Sequence, residues 1–308
     1  MGASLLHYRP WRGRFHRPAW AVWPIARISL WMIFRRKMFW VLYALGLLIF
    51  FMFFFGQYLL SWAESQTAEQ SVNIGLVRAE PTRLIQILRE VMRLNGSGYT
   101  YRNFFWYQGY MVMIVLALAG SILVGNDFQF GSLPFYLSKP LSRGHYVLGK
   151  CLAVAVFVNL MTTLPALILF VQYGFLDSWS YFIDNGRLLA GILGYGAVLT
   201  VCLSLTLVAT ATWLRRTVPM IMIWTTLFFF FRLLAIALVD GFRYDPRWRL
   251  IDLWNNMYLV GNALLGMAPD SIRLAEPPVY QAALILGALS TLCLIYLSLR
   301  IRAVEIVR

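Results

Sequence analysis

The run with the most suggestive chemistry is Gly144-His145-Tyr146-Val147-Leu148-Gly149-Lys150-Cys151. Its spacing approaches the phosphate-binding loop Gly-x4-Gly-Lys-Ser/Thr, whose backbone N–H groups cradle phosphates and whose hydroxyl holds Mg²⁺. Here Cys151 stands where that hydroxyl belongs, no strand pattern precedes the run, and a long apolar block follows at once. The run reads as a decoy, not a nucleotide site. Other chemistry is equally unsupported. His7, His16 and His145 are scattered, and Cys151, Cys202 and Cys293 show no pairing pattern. The apolar blocks contain no Asp, Glu, His or Lys, so a proton relay, a haem or a metal site lacks ligands there. No His-Asp or carboxylate pair flanks a block, so we expect no catalytic residues, no metal and no enzyme.

The elements that hold these residues follow from hydropathy. Of 308 residues, 60% are hydrophobic and 13% charged, about half the charge of an ordinary soluble domain. Charge-free stretches cover 38–63, 103–126, 151–176, 188–214 and 277–299, and 217–239 is broken only by Arg232. Each can form the roughly 20-residue helix that crosses a bilayer, and none alternates as a barrel strand would. The expected fold is an all-α membrane protein with six transmembrane helices, at about 38–60, 104–125, 151–174, 188–213, 218–239 and 279–299. The first span lacks a cleavage signature and is expected to be retained.

Charge sets the orientation. With the N-terminus inside, the inner segments 1–37, 126–150, 214–217 and 300–308 hold 16 Lys or Arg, against 10 in the longer outer segments. Lys37, Lys139 and Lys150 all fall inside, and of 13 acids only Asp127 and Glu305 do. The predicted topology is N-in/C-in. The net charge of +14 thus belongs to segments beside the membrane, where anionic lipid rather than nucleic acid is the partner.

Within 1–37, Trp20 to Lys37 sets Val22, Ile25, Ile28, Leu30, Trp31 and Ile33 against Arg27, Arg35, Arg36 and Lys37, the pattern of an interfacial amphipathic helix. The outer loop 61–102 is long enough for structure, with a helix expected from Pro81 to Leu94. The last outer loop, 240–276, has room for short helices that dip into the bilayer. Residues 300–308 form a cytoplasmic tail.

Two polar positions within spans stand out as possible pathway residues. Arg232 is costly in lipid; it snorkels to the outer interface, meets an anionic substrate, or pairs with a loop acid. Asn159 either lines a pathway, with the hydroxyls of the third and fourth spans, or bonds helix to helix. Gly191, Gly194 and Gly196 suggest close helix approach.

The inner loop between the second and third spans is the most informative segment. Pro134 can start a short helix and Pro140 must end it, leaving Phe135 and Tyr136 exposed on the cytoplasmic side. An apolar knob in water is costly unless something covers it. Asp127, Gly131, then Leu133-Pro134-Phe135-Tyr136-Leu137-Ser138-Lys139-Pro140-Leu141-Ser142-Arg143, Tyr146 and Gly149-Lys150 resemble the loop of permeases of type-2 ATP-binding-cassette (ABC) exporters. The common form there is Asp…Gly…Leu-x-x-Tyr-Leu-Ser-Arg-Pro-aliphatic-Ser/Thr-Arg-x-x-Tyr-x-x-Gly-Lys; this chain has Lys139 where Arg is usual.

The resemblance implies a coupling helix that docks on a separate cytoplasmic ATPase through the 131–143 loop. Leu133, Phe135, Tyr136 and Leu137 would be the docking residues, and Asp127, Arg143 and Lys150 loop braces. It also implies that a second permease copy or homologous permease completes the translocation pathway, with ATP and Mg²⁺ bound by the ATPase subunit. The bacterial cytoplasmic (inner) membrane is the expected location. The alternative reading is a non-transporting membrane anchor or assembly subunit that binds a cytoplasmic partner.

Overall fold

The computed structural model describes residues 20, 22–66, 72–74, 77–79, 89, 93–120, 127, 143–214, 216–267 and 276–301. The expected coupling helix, with Leu133, Phe135, Tyr136 and Leu137, lies outside the described residues, as do nearly all of the helix expected over 81–94 and the tail beyond Ile301.

The described chain is helical apart from a hairpin between the helices Lys37–Gln66 and Gly98–Gly120. There β1 (Val72–Ile74) pairs antiparallel with β2 (Val77–Ala79), with Asn73 opposite Arg78. The helices are α1 (Val22–Phe34), α2 (Lys37–Gln66), α3 (Gly98–Gly120), α4 (Arg143–Met161), α5 (Thr163–Leu176), α6 (Ser180–Asp184), α7 (Gly186–Leu214), α8 (Thr217–Gly241), α9 (Leu253–Leu264) and α10 (Val279–Arg300). Among the described residues, five helical stretches are long and apolar enough to cross a membrane: Lys37–Trp62, Arg143–Leu176, Gly186–Leu214, Thr217–Gly241 and Val279–Arg300. The region of the expected second span is α3, 23 residues long, whose first half carries Arg102, Asn103 and Gln108. It packs against α2 and α8.

Breaks in the long helices have local causes. The stretch Arg143–Leu176 is interrupted at Thr162, three residues before Pro165. A proline inside a helix lacks its N–H and crowds the carbonyl four residues back, here Met161. Helix α8 contains two π turns, Thr226–Phe230 and Ala237–Gly241, flanking the α-helical Phe231–Ile236 that carries Arg232. Each π turn inserts extra winding and re-aims the side chains beyond it.

The centre of the bundle is α7. Its apolar stretch is 67% buried, against 17–22% for α2, α8 and α10, which turn most of their side chains outward. Outward Leu, Phe and Ile suit a hydrocarbon solvent, so association of these helices rests on close packing and hydrogen bonds. Glycines allow that packing. A Cβ on Gly191 would lie 2.6 Å from the Leu264 carbonyl, and one on Gly196 would meet Thr163 Oγ1 at 2.0 Å. Gly109 and Gly261 likewise leave room for the rings of Trp254 and Tyr195. The contacts of Gly191, Gly109 and Gly261 seat α9 against α3 and α7, and α9 also packs on α10, so the segment between α8 and α10 is partly built into the bundle.

Candidate functional site

The C-terminal root of the loop between α3 and α4 is set by α4. Tyr146, Gly149, Lys150, Ala153, Val154 and Phe157 are buried along it, a three-and-four spacing that makes one inward stripe. Gly149 brings the neighbouring helix close. A Cβ there would lie 2.8 Å from Ile25 and 3.1 Å from the Val22 carbonyl. Helix α1 therefore lies directly on α4, burying Ile25, Ala26, Ser29, Leu30 and Ile33.

That contact delivers Ser29 to Lys150. The Lys150 ammonium, 1% exposed, donates to Ser29 Oγ at 3.0 Å and sits 2.7 Å from Asp127 Oδ2. Tyr146 donates its hydroxyl to the same Oδ2 at 2.9 Å. One buried carboxylate oxygen thus accepts from a cation and a phenol, while the cation also reaches a hydroxyl on α1. A buried ion pair survives only when its remaining hydrogen-bonding capacity is also engaged. Tyr146 and Ser29 supply that.

Two of the three expected braces, Asp127 and Lys150, are therefore in direct contact; Arg143 stands exposed on the first turn of α4. The sequence reading did not find Ser29, which is 121 residues from its partner; its place on the inward face of an amphipathic helix was the available signal. The phosphate-loop decoy is also resolved. Gly144 to Cys151 lie within α4, so their N–H groups are directed along a helix instead of around a phosphate.

A second polar cluster occupies the C-terminal half of α8. Arg232 places its guanidinium 4.4 Å from the Trp106 ring centre and 5.4 Å from that of Tyr110, both on α3. Its buried Nη1 has no hydrogen-bond partner among the described residues. Nearby, Asp252 caps α9 by accepting from Trp254 N at 2.9 Å and Asn255 N at 3.1 Å. Burial raises the Asp252 carboxyl above its ordinary range, against the opposing pull of those N–H groups and of the Arg232 and Arg249 charges. Arg249 in turn meets Asp240 at 2.6 Å and Glu276 at 3.9 Å. Asn159 donates to Thr200 Oγ1 at 2.8 Å and to the Ala155 carbonyl, joining α4 to α7.

An apolar helical bundle with five stretches long enough to cross a membrane among the described residues, and a buried ion pair between Asp127 and Lys150, defines a multi-pass membrane protein. Residues 23–246 match the family described as ABC-2 family transporter protein, and the chain belongs to this family. It is a membrane permease component of an ABC transporter, not the ATPase, and family membership implies partnership with an ABC ATPase subunit. A comparison with curated proteins gives no match.

Proposed function

We propose that the chain is the transmembrane permease subunit of an ABC exporter in the bacterial cytoplasmic membrane. It forms the translocation pathway with a second permease copy or homologue, and it is gripped by a separate ATPase at the 131–143 loop. In this reading α3 is the second of six spans and both termini are cytoplasmic, the orientation that the Lys and Arg distribution supports. ATP-driven closure of the ATPase pair moves the docked loops, and the spans rock as rigid bodies to open outward.

The observation that supports coupling is the buried Asp127–Lys150 pair with Tyr146 and Ser29. Asp127 precedes the loop, Lys150 follows it, and Ser29 belongs to a third element. A loop whose two ends are bound to each other and to α1 transmits displacement instead of absorbing it. Leu133, Phe135, Tyr136 and Leu137 are assigned to docking, and Asp127 and Lys150 to bracing.

Co-purification of the chain with its soluble ATPase tests this. The double change Phe135→Asp and Tyr136→Asp abolishes the complex while leaving the permease folded. A complex that survives that change would overturn the docking assignment.

A further inference from the structure

The face of α1 turned away from α4 carries Trp23, Arg27, Trp31 and Arg35. Residues four apart lie nearly above one another on a helix, about 6 Å apart along its axis, and the Arg35 N–H bonds the Trp31 carbonyl at 3.2 Å, carrying the turn on. The four make one stripe of alternating indole and guanidinium. All are exposed, Trp23 at 51% and Trp31 at 56%. The Arg35 guanidinium lies 4.2 Å from the Trp31 ring centre. A cleft of about 570 Å³ runs along this helix, and Trp23, Arg27, Ile28, Trp31 and Phe34 are among its walls.

The charge around the stripe has one sign. Glu64 is the first acidic residue of the chain, and eight Lys or Arg precede it. Arg27, Arg35, Arg36 and Lys37 form no ion pair among the described residues. Two bare indoles in water are costly, and so many cations without acids need an anion from elsewhere. The boundary between acyl chains and phosphates satisfies both demands, since indoles settle at headgroup depth and long basic side chains reach the phosphates.

We propose that this stripe is a binding site for an anionic phospholipid. Arg27 and Arg35 hold the phosphate, and Trp23 and Trp31 flank the glycerol and upper acyl region. The inference rests on the membrane location and not on the exporter reading.

Native mass spectrometry of the purified, delipidated chain titrated with phosphatidylglycerol tests it. The wild type binds phosphatidylglycerol more tightly than phosphatidylcholine. R27Q/R35Q weakens the tightest site roughly thirtyfold, about fivefold for each basic group at a lipid surface. R27K/R35K keeps most of the affinity, and R243Q/R247Q, in the outer loop, leaves it unchanged. W23A/W31A weakens binding with every charge in place, and soluble glycerol 3-phosphate displaces nothing. Equal affinity for phosphatidylcholine, undiminished binding by R27Q/R35Q, or displacement by glycerol 3-phosphate would overturn the proposal. Because lipid is counted on the permease alone, failure here leaves the ATPase-docking test standing, and the reverse holds as well.

Discussion

Arg232 of α8 lies over the ring of Trp106 on α3, guanidinium carbon to ring centre 4.4 Å, so the charge inside a span is turned inward onto an aromatic face. Tyr110 forms a second wall at 5.4 Å. A cation over an aromatic face contributes about 0.5–2 kcal/mol, the upper end when desolvated. A double-mutant cycle of Arg232→Gln and Trp106→Leu, read by thermal unfolding in detergent, is expected to give a coupling of about 1 kcal/mol. Additive effects would show that the ring and the charge act independently.

The Asp127–Lys150 pair predicts a larger effect. Lys150→Met leaves a buried carboxylate without its cation, and loss of one partner of such a pair costs about 3–5 kcal/mol. Lys150→Met with Asp127→Leu removes both charges and recovers more than half of that loss. Thermal midpoints of the two variants, compared with wild type, decide this. Equal destabilisation by single and double variants would contradict it.

Asp252 predicts a pH dependence with a definite sign. Burial raises its folded pKa, above the unfolded value of about 3.9, so the folded chain binds this proton more tightly. The contribution is fully present below the unfolded pKa and is lost as pH rises through the folded one. Asp252→Asn keeps an acceptor for the N–H groups of Trp254 and Asn255 and removes the titration, so its stability curve is flatter over that window. Asp252→Ala loses the cap as well, at about 1 kcal/mol. A parallel curve for wild type and Asp252→Asn would contradict the assignment.

Two glycines of α7 are expected to differ. A Cβ on Gly191 meets the backbone of Leu264 at 2.6 Å and of Leu265 at 2.9 Å, whereas one on Gly194 meets only the Leu264 side chain, nearest at 3.3 Å. Backbone cannot yield cheaply, so Gly191→Ala is expected to cost about 1–3 kcal/mol. Gly194→Ala is expected to be near neutral, since alanine also favours the helix by roughly 1 kcal/mol. Unfolding midpoints for the two single variants check the contrast.

Much of this was legible in the residues alone, and the reason is the solvent. Lipid forces every backbone polar group into a helix or a closed barrel, so charge-free blocks without alternation, such as 188–214, predict helices such as α7 without knowledge of their neighbours. The proline-bounded loop with Asp127, Tyr146 and Lys150 carried the family, because its residues are adjacent in sequence. The breaks at Thr162 and in α8 were less accessible. Pro165 was visible, but π turns depend on side-chain packing that has no local code.

What the sequence determined by itself was therefore the class: a helical membrane protein, its basic segments, and the family to which it belongs. Only the tertiary structure decided what the charged residues touch. Lys150 and Ser29 meet because Gly149 lets α1 lie on α4, and Arg232 faces Trp106 because of how α8 winds and packs against α3. Hydropathy is a property of single residues summed along the chain. A buried ion pair is a property of helices packed together, and its energy depends on partners more than a hundred positions away.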